Sequence, residues 1–197
     1  MRMRLLTAAM LLAGCGPLVQ IGGNDKAPAA LMTLRATAAP VPAPAVFDRA
    51  RAVLVLTPAT TGALQTLRVP VIVTDTNLAY LTGATWAEQP NRQLQHVLAD
   101  TLEANGIVTL DPKQAPLTPG RTLAGTLIEC SLDVRDPAHP VVRVRYDAAL
   151  ATGAGAQAVR RFDASEPVAS QSPVDVAVAL NAAANRLAGD VANWVKR

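Results

Sequence analysis

The sequence predicts one α/β (α+β) domain, a mostly antiparallel sheet of five or six strands with two long helices packed on one face. Three observations carry that prediction. Residues 121–162 hold three successive alternating apolar runs, the pattern of strands with one buried face. Residues 90–106 and 172–195 place apolar side chains at three-four spacing, the pattern of amphipathic helices. Residues 67–106 join a strand, a second short strand, an aromatic turn and the first helix into a β-β-α unit. At 197 residues, half of them hydrophobic but only 3% aromatic, the core must be built mainly from Ala, Val and Leu.

The chain opens as an export leader. Arg2 and Arg4 give a positive start, residues 5–13 an apolar stretch, and Leu12-Ala13-Gly14-Cys15 fits the bacterial lipobox. In that chemistry the Cys15 thiol is acylated after export and small residues before it admit the peptidase. Acyl chains contribute ~0.8 kcal/mol per buried methylene, so several of them anchor a protein to a membrane. Gly16 follows Cys15 where Asp would resemble an inner-membrane retention signal, which favours the outer membrane of a Gram-negative cell. The expected division is therefore a leader over residues 1–14, a lipidated Ala/Pro-rich tether over 15–48, and a folded domain over 49–197. Pro40, Pro42 and Pro44 suit a stiff, extended connector. Within the tether, ALMTLR at residues 30–35 reads equally as a first edge strand or as more connector.

Residues 51–57 form a short, nearly continuous apolar strand closed by Pro58 and a Thr60-Thr61-Gly62 turn. Leu67, Val69, Val71 and Val73 then alternate onto one face, while Pro70, which has no N–H to give, places that strand at an edge or pairs it on one side. Residues 76–81 alternate more weakly and put Leu78 with Tyr80. Pro90 suits the first turn of a helix whose stripe is Leu94, Val97, Leu98, Thr101 and Leu102, and Asn105-Gly106 supplies a left-handed C-terminal cap. After a brief strand at 107–110 and a loop at 111–120, Thr126, Ile128, Cys130, Leu132 and Val134 are expected on one strand face. Val142, Val144, Tyr146, Ala148 and Leu150 alternate likewise, with Arg143, Arg145 and Asp147 pointing away. Gly153-Ala154-Gly155 turns into a third run around Val159 to Phe162. Ser172-Pro173-Val174-Asp175 resembles a capping arrangement for the last helix, whose stripe is Leu180, Ala184, Leu187, Val191 and Trp194.

Tyr80, Gly83, Trp86-Ala87-Glu88, Pro90 and the Leu-rich helix after them resemble the ABC-type transport auxiliary lipoprotein family, the PqiC-like lipoproteins. The motif departs at Thr85, where relatives often carry Arg. The leader and the closing helix ending near Trp194 extend the resemblance over most of the chain. The resemblance implies an auxiliary lipoprotein of an MCE-type ABC system, facing the periplasm and docking an MCE-domain protein and an ABC permease and ATPase that move lipids or other apolar molecules. It also implies a compact domain, with a homo-oligomer as one form relatives take. A structural lipoprotein assisting outer-membrane or lipopolysaccharide assembly shares these features, and the presence of MCE-system partners separates the two.

Other classes have little support. Removing Arg2 and Arg4 from 18 basic residues leaves 16 against 15 acidic ones, about +1, which is no nucleic-acid footprint. Neither Cys15 nor Cys130 has neighbours at metal-ligand spacing, and no cofactor fingerprint is present. With no nucleophile elbow and with His96 and His139 lacking an evident partner, the chain does not read as an enzyme. Cys130 reads as a core thiol. Tyr80 and Trp86 are either large core side chains or contacts for a partner or lipid. Glu88 is either a carboxylate at a helix N-terminus or part of the same contact.

Overall fold

A computed structural model describes residues 30–39, 41–42, 46–111, 119–153 and 155–197. The leader, Cys15, Pro40, Pro44 and most of the 111–120 loop lie outside the described residues. The frame is three long strands in a meander: β8 (Arg121–Asp133), β9 (Val141–Thr152) and β10 (Gln157–Pro167), each antiparallel to the next. Before them come the short strands β1 (Ala30–Met32), β2 (Val53–Val55), β3 (Ala59–Thr60), β4 (Pro70–Thr74), β5 (Asn77–Tyr80), β6 (Ala84–Trp86) and β7 (Thr109–Leu110). Helices α1 (Pro90–Ala104) and α2 (Pro173–Val195) pack against each other over one sheet face.

The predicted class stands, and the sheet is larger and more mixed than the sequence suggested. Eight strands join it, and β2, β3 and β4 each run parallel to β8. β2 also pairs parallel with β7, a connection that passes through α1 as parallel strands require a crossover. The remaining two strands, β1 and β6, form a separate parallel pair. That pair answers the reading of residues 30–35: Ala30–Met32 is a strand, and Met32 and Leu34 are buried. The Arg35 and Thr37 N–H groups donate to the Asn181 and Asn185 side chains at 2.8 and 2.7 Å, so the segment is strapped along α2.

One register differs from simple alternation. A bulge between Leu127 and Glu129 inserts an extra residue in β8. Leu123 and Leu127 therefore face the core before it and Cys130 and Leu132 after it, while Thr126 and Ile128 are only half-buried. On β9, Val142, Val144, Tyr146, Ala148 and Leu150 are all buried as expected. Val73 lies on the predicted face of β4 but is exposed, because β4 meets β8 only at Val71 and Ile72 and then runs out with β5 as a projecting hairpin. Pro70 pairs with Tyr80 alone, which leaves its missing N–H without consequence.

Both helices end as their sequences predict. Ser172 Oγ accepts the Asp175 N–H at 3.2 Å with Pro173 in the first turn, and Gly106 takes the left-handed conformation after α1 at φ 78°. α2 buries Val176, Leu180, Leu187, Val191 and Val195 with five alanines between them, so small residues bring it close to α1 and the sheet. Trp194 is half-buried and meets Phe162 edge to face, with ring centroids 5.6 Å apart.

Gly125 answers to the largest side chain on β9. A Cβ there would lie 2.2 Å from the Asp147 carbonyl oxygen and 2.6 Å from the Tyr146 ring. The ring fills that space and its hydroxyl donates to the Ala124 carbonyl at 2.7 Å. Gly125→Val should therefore lower the urea midpoint without changing the slope, a loss of about 2 kcal/mol or more from overpacking, measured by equilibrium unfolding.

Candidate functional site

Three of the sequence's site candidates fall within the described residues, and the fold does not bring them together. Trp86 is 1% exposed and belongs to the core. Its N–H donates to the Leu67 carbonyl at 2.7 Å, and the following Ala87 N–H donates to Met32, so the chain is pinned there on two sides. A ring in that position fills a corner and cannot touch a partner. Tyr80 is half-buried on β5, with the Arg68 guanidinium stacked 3.9 Å from its ring centroid. Glu88 precedes α1, whose N-cap is Gln89, and its carboxylate lies 3.7 Å from Arg92 and 4.0 Å from His96. Cys15 lies outside the described residues.

The hairpin of β4 and β5 gathers the exposed apolar surface near Tyr80. Cross-strand register places Leu78 opposite Ile72 and Tyr80 opposite Pro70, so these four share one face. Leu67, Val73 and Leu78 are all exposed. Leu78 belongs to that face, Val73 falls at the bulge between Ile72 and Thr74, and Leu67 lies just before the strand, so the projecting hairpin shows apolar side chains at several points.

Beside it the open face of the sheet carries a charge network that the sequence only half revealed. Arg143, Arg145 and Asp147 do point away from the core, but their partners come from neighbouring strands. Asp133 accepts Arg135 Nε and Nη2 at 3.0 and 2.7 Å and Arg143 Nε at 3.1 Å. The second arm of Arg135 donates to Asp75 in the hairpin at 2.6 Å. Arg145 bridges Glu129 and Asp163, and Arg161 forks onto Asp147 at 2.6 and 2.7 Å. Apart from Arg135 on Asp133, two residues away in sequence, these strand pairings appear only once the cross-strand register is known.

Charge on this face is structural in its chemistry. Hydrogen bonds from Arg135, with Arg143 adding to them, pull the Asp133 carboxyl down to about 2, against the desolvation of a nearly buried group. Arg161 holds Asp147 below the ordinary carboxylate range in the same way. Burial pushes the Cys130 thiol up to about 12, which keeps it protonated and unreactive. His96 and His139 are exposed, each beside one carboxylate, Glu88 and Asp136. Among the described residues no three His, Cys, Asp or Glu side chains are placed to hold a metal ion.

The depressed Asp133 value fixes a sign for acid stability. Its contribution is complete above the unfolded value of about 4 and is lost as pH falls through about 2. Asp133→Asn should cost roughly 2 kcal/mol at neutral pH and flatten that part of the stability curve, measured by urea unfolding from pH 7 to pH 2.

A family model described as ABC-type transport auxiliary lipoprotein component matches residues 33–192. A crystal structure of a Xanthomonas campestris protein of the DUF330 family is 21% identical with a TM-score of 0.72, covering 84% of this chain and 94% of that one. A second solved structure, of an uncharacterized protein, is 17% identical with a TM-score of 0.64, covering 74% and 92%. At a TM-score of 0.43 and 18% identity, a PelC dodecamer from Paraburkholderia phytofirmans covers 76% of this chain and 92% of its own. No match is found among curated proteins. The first two likenesses share the fold, and with a family model spanning most of its length the chain belongs to the ABC-type transport auxiliary lipoprotein family.

Proposed function

We propose that this protein is the membrane-anchored auxiliary lipoprotein of an MCE-type ABC system, docking a periplasmic MCE-domain protein that works with an ABC permease and ATPase to move lipids or other apolar molecules. Membership of the transport-auxiliary family supports the reading, and the observation that carries the docking role is the projecting hairpin with its exposed apolar side chains. Its class is that of an accessory component rather than an enzyme family. Among the described residues no helix is long and apolar enough to cross a membrane, so acyl chains on Cys15 would hold the protein there. Residues 1–14 are the leader, residues 15–29 the tether, and the domain runs from Ala30. The outer membrane, with the domain facing the periplasm, is the proposed site.

In this reading the docking surface is Tyr80, Leu78 and the neighbouring hairpin residues, with Asp75 and Arg135 at its polar margin. Glu88 lies at the N-terminal end of α1 and would add charge to the same end of the molecule. Trp86 acts from inside, by fixing where the hairpin leaves the core. An interface centred on a tyrosine beside an arginine matches what carries binding energy at protein contacts.

Affinity purification of the tagged, full-length protein from envelopes of its host tests this. The expected outcome is recovery of an MCE-domain protein with its permease, weakened in Cys15→Ala and reduced about tenfold or more in Tyr80→Ala combined with Leu78→Glu. Recovery of outer-membrane or lipopolysaccharide assembly proteins without any MCE protein would overturn the reading in favour of a structural lipoprotein.

A further inference from the structure

The end of the molecule opposite the hairpin carries a second surface. β8 runs from Arg121 at this end to Asp133 near the hairpin, roughly 40 Å at strand spacing. Here the C-terminal ends of α1 and α2 meet the segment entering β2 and the end of β9, leaving an open groove of about 870 Å³. Arg51, Arg121, Lys196 and Arg197 line it, against one carboxylate, Asp48. Even with an α-carboxylate at Arg197, the balance is about +2, in a protein that is otherwise almost neutral.

Two of these cations already have work in the fold. Arg121 donates to the Val195 carbonyl, and Lys196 donates to Asn105 Oδ1 at 3.0 Å, so both serve the carbonyl ends of the helices. Asp48 accepts the Ala50 N–H at 2.9 Å in a turn. The side chains of Arg51 and Arg197 make no hydrogen bond or ion pair to the described residues. They are exposed and converge on a groove whose other walls include Phe47, Ile107 and Leu150.

A second, mainly apolar notch of about 250 Å³ shares Gly106, Ile107 and Val108 with it and is lined further by Val41, Pro42, Thr109 and Glu103, whose carboxylate is taken up by the Thr109 hydroxyl. Val41, Val46 and Phe47, three of the exposed large apolar residues, belong to this same N-terminal stretch. A cationic groove beside an apolar notch has the two-part chemistry of an amphiphile with an anionic head. A free anion would use only the first part, and an uncharged lipid only the second.

We propose that this pole binds an anionic phospholipid, with Arg51 and Arg197 on the headgroup phosphate and Ile107, Val108 and Val41 against the start of the acyl chains. The site deepens the transport reading and rests on it for the supply of an amphiphile. Binding itself requires no transporter component.

The test is native mass spectrometry of the acylated, full-length protein in non-ionic detergent, offered phosphatidylglycerol or phosphatidylcholine. The expected result is retention of one phosphatidylglycerol at about tenfold or greater preference. Arg51→Glu with Arg197→Glu should abolish that preference, and Arg51→Gln with Arg197→Gln should weaken it, both at an unchanged thermal midpoint because the residues are exposed. Inorganic phosphate at the lipid concentration should not displace the lipid. Equal retention of the two lipids, retention indifferent to both double variants, or displacement by phosphate alone would each overturn the proposal. A failed envelope purification would leave this result standing, so the two readings fail separately.

Discussion

The fold depends on what happens at Trp86. In a chain with so few aromatics, one full-sized ring is buried where β6 ends and the chain turns toward α1. The backbone on either side is held at the same time, by Leu67 ahead of β4 and by Met32 of β1. Hydrophobic burial and two backbone hydrogen bonds thus fix one point from which the hairpin, the strap along α2 and the first helix all depart. Emptying such a corner costs roughly 3–5 kcal/mol in comparable cores. The indole N–H has no hydrogen-bond partner among the described residues, a polar group given up for the packing of the ring.

Around that corner the sheet has two unlike faces. One is sealed by α1 and α2 through Leu, Val and Ala, with Tyr146 seated over Gly125 as its widest element. The other is open and held by arginine–carboxylate ladders that cross strands. Such half-exposed pairs contribute modestly one by one, and their larger effect is to select register, since a two-residue slip, which keeps the same faces buried, would set Arg145 opposite Arg161 or Asp147 opposite Asp163. The ladder also reaches the hairpin through Arg135 and Asp75, so the projecting element is braced by the sheet it leaves.

Much of this was legible because periodicity survives wherever a segment is long. The stripes of α1 and α2, the alternation of β9, the Ser172 cap and the left-handed Gly106 were all readable from residue types alone. What was not legible depends on distant pairing. Strands of two to five residues, such as β2, β3 and β4, carry too little pattern to reveal that they run parallel to β8. The bulge near Ile128 is invisible until β8 is laid against β9, and Trp86 could not be placed inside or outside without its surroundings. Among the site candidates, Tyr80 could be located by its strand, while Arg51 and Arg197 are 146 residues apart in sequence and share a groove only because two helices and two strands end at the same place.

The strap over residues 31–39 has a mechanical consequence. β1 is only three residues long and lies parallel to β6, so tension on the chain ahead of Ala30 would load their hydrogen bonds in shear rather than peel them one at a time. Behind that pair, Leu34 is held by Gln93 on α1, and Arg35 and Thr37 by Asn181 and Asn185 on α2. A pull from the N-terminal side is thereby shared between both helices before it can reach the meander. Of the two ends of the described domain, this one is braced against both helices.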